Sequence, residues 1–193
     1  MLSIGYYLVR MTAAGLAGGL LWWLSLPLRG RFGRKRTTQM GPYREGAVLL
    51  LFMFLTGLLF LTLTPPNGWS YSGPFQGTVN LTPLRESARL FSFYFKNRMW
   101  TALLVNFLGN IVMFIPIGLF AGLLLDRPRW WKGTICAFAL SFFIEISQLI
   151  VCRGTDVDDL ILNALGGLLG QWLFLLLRRM APGFVDKCRK GSV

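Results

Sequence analysis

The stretch NFLGNIVMFIPIGLFAGLLL, residues 106–125, contains no charged side chain. In an α-helix, about 20 apolar residues at 1.5 Å per residue are enough to cross the hydrocarbon core of a bilayer. Together with the residues just before it, this stretch predicts a transmembrane helix over 101–125. Four other stretches meet the same criterion. The predicted spans are 11–28, with a start as early as Ile4, then 46–64, 101–125, 134–151 and 160–177.

The composition is also that of a membrane protein. Of 193 residues, 54% are hydrophobic and 15% are charged, whereas soluble domains carry about 25% charged residues. We therefore expect an all-α, polytopic membrane bundle with five transmembrane helices. Glycine pairs at four-residue spacing, as in Gly118/Gly122 and Gly166/Gly170, predict close helix contacts. The chain has no histidine, which excludes catalytic triads and metal sites that depend on imidazole.

The basic residues predict the orientation in the membrane. The net charge is +12, and most of the 20 Lys and Arg residues lie in 29–45, in the gap after the third span and in the tail 178–193. Because cytoplasmic loops collect Lys and Arg, we expect the N-terminus outside and the C-terminus in the cytoplasm. The positive net charge is therefore explained by the orientation in the membrane, and we expect no nucleic-acid partner.

Polar side chains recur at helical spacing within the last three spans. Such residues are costly in a bilayer, so they usually face protein or a wet cavity. Residues three or four apart share a helix face, and each of these spans therefore has one polar stripe. From the predicted directions, the stripes are expected to converge at one depth below the outer surface. They consist of Asn106 and Asn110; Ser141, Glu145 and Gln148; and Asp159 and Asn163.

The two halves of the membrane region differ in polarity. The outer loop 152–159 adds charges above the stripes, from Arg153, Asp156, Asp158 and Asp159. The inner halves of the last three spans are almost wholly apolar, apart from Thr134 and Gln171. A transport path would need polar groups in both halves. The pattern therefore predicts a pocket with a closed floor that opens to the outside.

The first outer loop contains an amphipathic segment. The stretch 65–80 is rich in Pro, Gly and Ser and is expected to be irregular. After it, Phe91 and Phe95 follow at helical spacing, with Arg85 and Arg89 on the adjacent face, which predicts an interfacial helix. Guanidinium groups match phosphate geometry, so these arginines are candidates for phosphate binding. The alternative is a helix that only extends its basic side chains into the interface.

Several spaced positions together resemble the VanZ-like family of bacterial membrane proteins, over about residues 48–177. They are Asn106-Phe-Leu-Gly-Asn110 with Phe114, Pro116 and Gly118; Glu145-Ile-Ser-Gln148; Arg153, Asp156, Asp159 and Asn163 with Gly166 and Gly170; and Asn80-Leu-Thr-Pro83. Leu84 stands where the family commonly has an aromatic residue. The resemblance implies a four-helix core in the bacterial cell membrane. For the founding members it implies a part in resistance to teicoplanin-type glycopeptide antibiotics.

The expected organisation has three parts. They are an N-terminal helix with a basic linker (1–45), a VanZ-like membrane domain (46–177) and a basic cytoplasmic tail (178–193). The expected partners are the membrane and a membrane lipid or lipid-linked cell-wall precursor. No cofactor is expected, although Asp156 and Asp159 offer oxygen ligands for a divalent cation.

Two functions remain open at this point. In the first, an outer-leaflet hydrolase or transferase uses Glu145 as general acid or base, with Asp156 or Asp159 orienting a hydroxyl or water. Substrate would be bound by Asn106, Asn110, Gln148, Arg153, Asn163, Arg85 and Arg89. In the second, the same pocket holds a lipid, or it occupies the membrane surface where a lipoglycopeptide would insert. Neither form involves catalysis. A transporter is disfavoured by the apolar inner half. Purely structural roles are the further alternative, with amides bonding between helices and Glu145 paired with Arg153.

Overall fold

The computed structural model of the chain describes residues 4–32, 41–64, 79–80, 82–125, 129–150 and 155–189. Within these ranges the chain is almost entirely helical, which confirms the predicted all-α bundle. In chain order the elements are α1 (Ile4–Phe32), α2 (Pro42–Leu63), β1 (Val79–Asn80), α3 (Arg85–Lys96), α4 (Trp100–Leu124), α5 (Lys132–Ile150), β2 (Thr155–Asp156), α6 (Val157–Met180) and α7 (Pro182–Arg189).

Among the described residues, four helices are long and apolar enough to cross a membrane: α2, α4, α5 and α6. They correspond to the last four predicted spans. The first predicted span lies inside α1, which is not one of these four, so the count of five spans stays a prediction. Arg10 of α1 lies over the rings of Tyr6 and Phe60, at 5.4 and 5.3 Å from the ring centroids. The two π faces attract this cation within an apolar helix.

Glycines bring α4 and α6 into direct backbone contact. A Cβ atom on Gly118 would overlap the carbonyl oxygen of Gly167, and one on Gly170 would overlap the carbonyl oxygen of Ile115. Gly166 likewise has no room for a side chain. The predicted glycine pairs on these two helices therefore mark close helix contacts, as small residues do in membrane bundles.

The apolar core lies between α2, α4 and α5. Its buried members are Leu58 of α2, Phe114 and Ile117 of α4, and Ala137 and Ile144 of α5. Large side chains elsewhere on these helices are exposed, as expected for surfaces that face lipid rather than water. The core fixes how α5 and α4 present their polar residues to α6.

Two helix boundaries differ from the predicted ones. Helix α6 begins at Val157 and not at residue 160, because the Asp156 carboxylate caps it by accepting a hydrogen bond from the backbone N of Asp158 at 3.0 Å. Asp158 and Asp159 therefore lie in the first helical turn and not in a loop. Helix α1 continues to Phe32, so the basic stretch expected from residue 29 begins inside a helix.

The sequence pattern did not predict β1, β2 or α7. Residues 65–78 of the segment expected to be irregular lie outside the described residues, but Val79–Asn80 form a parallel bridge with Thr155–Asp156. Helix α7 lies within the tail and packs Val185 and Cys188, each 1% exposed, against the bundle. Burial raises the pKa of the Cys188 thiol.

Candidate functional site

The bridge between β1 and β2 places Asp156 beside Glu145. The backbone N of Asp156 donates to Oε2 of Glu145 at 3.2 Å, and the Asp156 Oδ1 accepts from Nδ2 of Asn80 at 3.0 Å. Glu145 is 4% exposed, so its carboxylate lies within the protein and not against lipid. It also lies at the N-terminus of α6, where the helix dipole favours negative charge.

Asp158 connects α6 to helix α3. It is 2% exposed, and its two carboxylate oxygens accept hydrogen bonds from the backbone N of Leu84 at 2.6 Å and of Ser87 at 3.1 Å. These are donors at the start of α3 that the helix itself leaves unpaired. Leu84 has a positive φ of 63°, an uncommon conformation for a residue other than glycine. Asp158 therefore caps α3 from a distant part of the chain.

Two contacts join the polar stripes of α4 and α5 to the stripe of α6. Asn110 donates from Nδ2 to Oδ1 of Asp159 at 2.5 Å, and Asn163 donates from Nδ2 to Oγ of Ser141 at 2.7 Å. The Oδ1 atom of Asn163 is buried and has no hydrogen-bond partner among the described residues. The three helices thus meet through part of their polar stripes, while the expected depth of this meeting below the outer surface stays a prediction. We call Asn110, Glu145, Asp156, Asp159 and Asn163 the polar cluster.

Two other predicted site residues lie at the edge of the polar cluster. Gln148 donates from Nε2 to the backbone carbonyl of Thr62 at 3.1 Å, which ties α5 to the end of α2. Asn106 is exposed, and its amide lies 2.8 Å from the carbonyl oxygen of Ala102 and 3.5 Å from the Tyr94 hydroxyl. The expectation that Asn106 joins the stripe of Asn110 inside the bundle is therefore wrong, because its side chain is turned toward α3.

The predicted phosphate-binding arginines lie above the bundle. Arg85 and Arg89 are exposed on α3, so the predicted helix is confirmed, while its position in the membrane interface stays a prediction. Aromatic contacts hold α3 against α4: Phe91 lies 5.9 Å from Phe107, with a ring angle of 81°. Arg153 lies outside the described residues.

The polar cluster supplies carboxylates and amides, of which Glu145 and Asn163 are buried, but no nucleophile. Ser141 is 0% exposed and already bonded to Asn163, so its hydroxyl is not available for attack. Within the described ranges, no group of three or more His, Cys, Asp or Glu side chains is placed to hold a metal ion. The arrangement can bind hydrogen-bonding groups and, through Glu145, can exchange a proton with a ligand.

Residues 47–178 match the model of the VanZ/LLP1 family. This chain belongs to the VanZ/LLP1 family. Among similar proteins, Protein VanZ of Enterococcus faecium is 28% identical over 128 residues, which cover 65% of this chain and 71% of VanZ. No solved structure matches this chain.

The VanZ/LLP1 region contains the whole polar cluster, while α1 and α7 lie entirely outside it. Two residues that organise the cluster were not assigned from the sequence: Asn80, which holds Asp156, and Asp158, which caps α3. A signal for Asn80 existed, since it begins the Asn80-Leu-Thr-Pro83 segment. None existed for Asp158, because its partners are more than 70 positions away in the chain.

Proposed function

We propose that this VanZ/LLP1 protein lowers the susceptibility of a bacterial cell to teicoplanin-type glycopeptide or lipoglycopeptide antibiotics. The family match and the similarity to VanZ support the general role. The observation that carries the proposal is the meeting of four chain segments at the N-terminus of α6, with Glu145 bonded to Asp156 and Asn110 bonded to Asp159. Polar groups within an otherwise apolar membrane bundle carry an energetic cost, and for this reason they usually mark a functional site.

The proposed ligand is a phosphate-containing lipid head group or a lipid-linked cell-wall precursor. By the positive-inside rule, the basic residues in the tail and in the loop before α5 favour an outer position for the opposite end of the bundle, which holds the polar cluster. Arg85 and Arg89 lie exposed on α3, whose start is held by Asp158 next to the cluster. Their guanidinium groups suit a phosphate, while the amides of Asn110 and Asn163 suit the uncharged parts of a head group.

In the enzymatic form of this proposal, Glu145 transfers the proton and Asp159 or Asp156 orients the attacking hydroxyl or water. A divalent cation bound by the two aspartates would supply charge stabilisation. General acid–base catalysis contributes about 100- to 10,000-fold to a rate. Glu145→Gln keeps the shape of the side chain and its bond to the Asp156 amide but removes the titratable proton. Resistance is therefore expected to be lost.

The measurement is teicoplanin susceptibility at matched membrane expression. Glu45→Gln serves as the control, because Glu45 is an exposed glutamate in the first turn of α2 and is not part of the polar cluster. Native mass spectrometry of the gently purified protein tests the partner: a lipid or lipid-linked precursor should co-purify, and less of it should remain with Asn110→Ala. Full resistance in a Glu145→Ala, Asp159→Ala double variant would refute both forms of the proposal.

A non-catalytic binder is the second candidate, and specific contacts favour it. The carboxylates of Asp156 and Asp158 are already engaged in capping α6 and α3, and Ser141 is fully buried. A binder tolerates Glu145→Gln, because the hydrogen bond from the Asp156 amide is kept. Retained resistance in Glu145→Gln together with lost resistance in Asn110→Ala would therefore identify the binder.

A further inference from the structure

A second feature lies at the opposite half of the bundle from the polar cluster. Helices α2, α4 and α5 leave a groove of about 250 Å³ between them, which we call the inner groove. Its walls are almost entirely apolar. They include Leu51 and Leu55 of α2, Ile117 and Leu124 of α4, and Cys136 and Leu140 of α5.

The inner groove runs along the helices. On each helix the wall residues are separated by about one or two turns, as with Leu51 and Leu55 or Cys136 and Leu140. From Ile117 to Leu125, the α4 wall extends about 12 Å at 1.5 Å per residue. Because these helices cross the membrane, the groove lies within the hydrocarbon layer and parallel to the lipid chains. Its shape and lining suit one acyl chain.

The end of the inner groove near the start of α5 has the composition of a lipid head-group layer. Arg129 lies three residues before the start of α5, with its guanidinium carbon 6.0 Å from the Trp131 ring, and Trp130 is 66% exposed. Tryptophan is enriched at the membrane–water interface of membrane proteins. Lys132 is one helical turn before Cys136 of the groove wall.

A third cation lies at the same end of the inner groove. Arg44 of α2 donates from Nη2 to the backbone carbonyl of Leu124, a groove residue, at 3.1 Å. Its Nη1 donates to the carbonyl of Arg189 at the end of α7. Arg44 bonded to Leu124, Lys132 one turn before Cys136, and Arg129 just before α5 thus bring three positive charges toward one end of the inner groove.

We propose that the inner groove binds one acyl chain of an anionic phospholipid, with the head-group phosphate against Arg129 and Lys132. Apolar walls alone would accept any lipid, and the cations select a negative head group. This site is distinct from the polar cluster, because Lys132 and Glu145 lie near opposite ends of α5. The protein would therefore hold a structural lipid in the leaflet that faces the start of α5, the cytoplasmic leaflet by the charge distribution.

Native mass spectrometry of the full chain, released from nanodiscs with equal amounts of phosphatidylglycerol and phosphatidylethanolamine, tests the head group. The wild type should retain phosphatidylglycerol preferentially. An Arg129→Gln, Lys132→Gln double variant should reduce this preference by roughly fivefold for each charge removed. Arg178→Gln, Arg179→Gln is the matched control, since these arginines are exposed at the end of α6. An unchanged preference in the first double variant, or no preference in the wild type, would overturn the proposal.

Filling the inner groove tests the acyl chain. Cys136→Phe should lower the total retained lipid, whereas Ile135→Phe should not, because Ile135 is 54% exposed and is not part of the groove wall. Leu55→Phe, on the facing wall, gives the same test if Cys136→Phe does not fold. Full lipid retention in a folded groove-filling variant would refute the site, whatever the resistance assay shows for the polar cluster.

Discussion

The two ends of the α4–α6 pair are held together in different ways. Over the inner part of the pair, which begins at Ile111 of α4 and Gly166 of α6 and which we call the inner end, the helix backbones touch, because glycines such as Gly118 and Gly170 leave no side chain between them. At the end with the polar cluster, side chains meet instead: Asn110 reaches Asp159, and Asn163 reaches Ser141. Close backbone packing and interhelical hydrogen bonds are the two general means of holding membrane helices together.

This difference between the two ends indicates where the bundle is rigid and where its side chains could bind or react with a ligand. Backbone contacts at the inner end are fixed by geometry. The inner end also holds the buried amide of Gln171, and both of its polar atoms, like Oδ1 of Asn163 in the polar cluster, have no hydrogen-bond partner among the described residues. Such atoms are costly in a membrane, so they do not distinguish the two ends. The carboxylates of α5 and α6, however, lie only at the end with the polar cluster, where they depend on particular donors. We therefore expect acid–base or ligand chemistry at that end and rigid packing where the backbones touch.

The largest effect is expected from Gly118→Ala. The added methyl group would collide with the Gly167 carbonyl oxygen, so α4 and α6 must separate. We expect the free energy of unfolding to fall by about 3 kcal/mol, the upper end of the usual cost of overpacking. Thermal unfolding in detergent measures this change. Gly109→Ala on the same helix is the control, since its Cβ would meet nothing within 4 Å. Equal stability of the two variants would show that the inner end is not held by backbone contact.

An intermediate effect is expected from Asp158→Ala, which removes the cap of α3. Losing a helix cap costs about 0.5–2 kcal/mol, and here the loss is confined to one element. Hydrogen exchange should therefore rise in α3 (Arg85–Lys96) and stay unchanged in α4. Asp186→Ala is a matched control, because Asp186 is an exposed aspartate on α7. Unchanged exchange in α3 would contradict the capping role.

The smallest effect distinguishes the two asparagines of α4. Hydrogen bonds between membrane helices average about 0.6 kcal/mol, so Asn110→Ala should lower stability by this amount through loss of the Asp159 bond. Asn106→Ala should be nearly neutral for α4–α6 packing, because among the described residues its amide bonds to Ala102 and Tyr94 and to no residue of α6. A double-mutant cycle with Asp159→Ala, which removes the acceptor, measures the coupling. Coupling of Asp159 to Asn106 and not to Asn110 would reverse this assignment.

The sequence predicted the positions of four spans and the meeting of three polar stripes, because hydrophobic length and helical period act within one helix. It failed for Asn106, although its spacing from Asn110 is correct. Four residues advance a helix by about 400°, so Asn106 and Asn110 do not point in the same direction. Asn106 also lies nearer the end of α4, where Tyr94 of α3 offers a partner. It also failed for α7, since eight residues carry too little periodic pattern to predict a helix.

By itself, the sequence determined that this chain is a helical membrane protein with polar residues collected at one end. Those properties follow from the transfer of side chains between water and hydrocarbon, which each segment experiences alone. Only the tertiary structure decided that Asp158 caps α3, that Asn80 holds Asp156, and that an apolar groove remains between α2, α4 and α5. These features arise where distant segments meet, and no local pattern encodes which donor will face which acceptor.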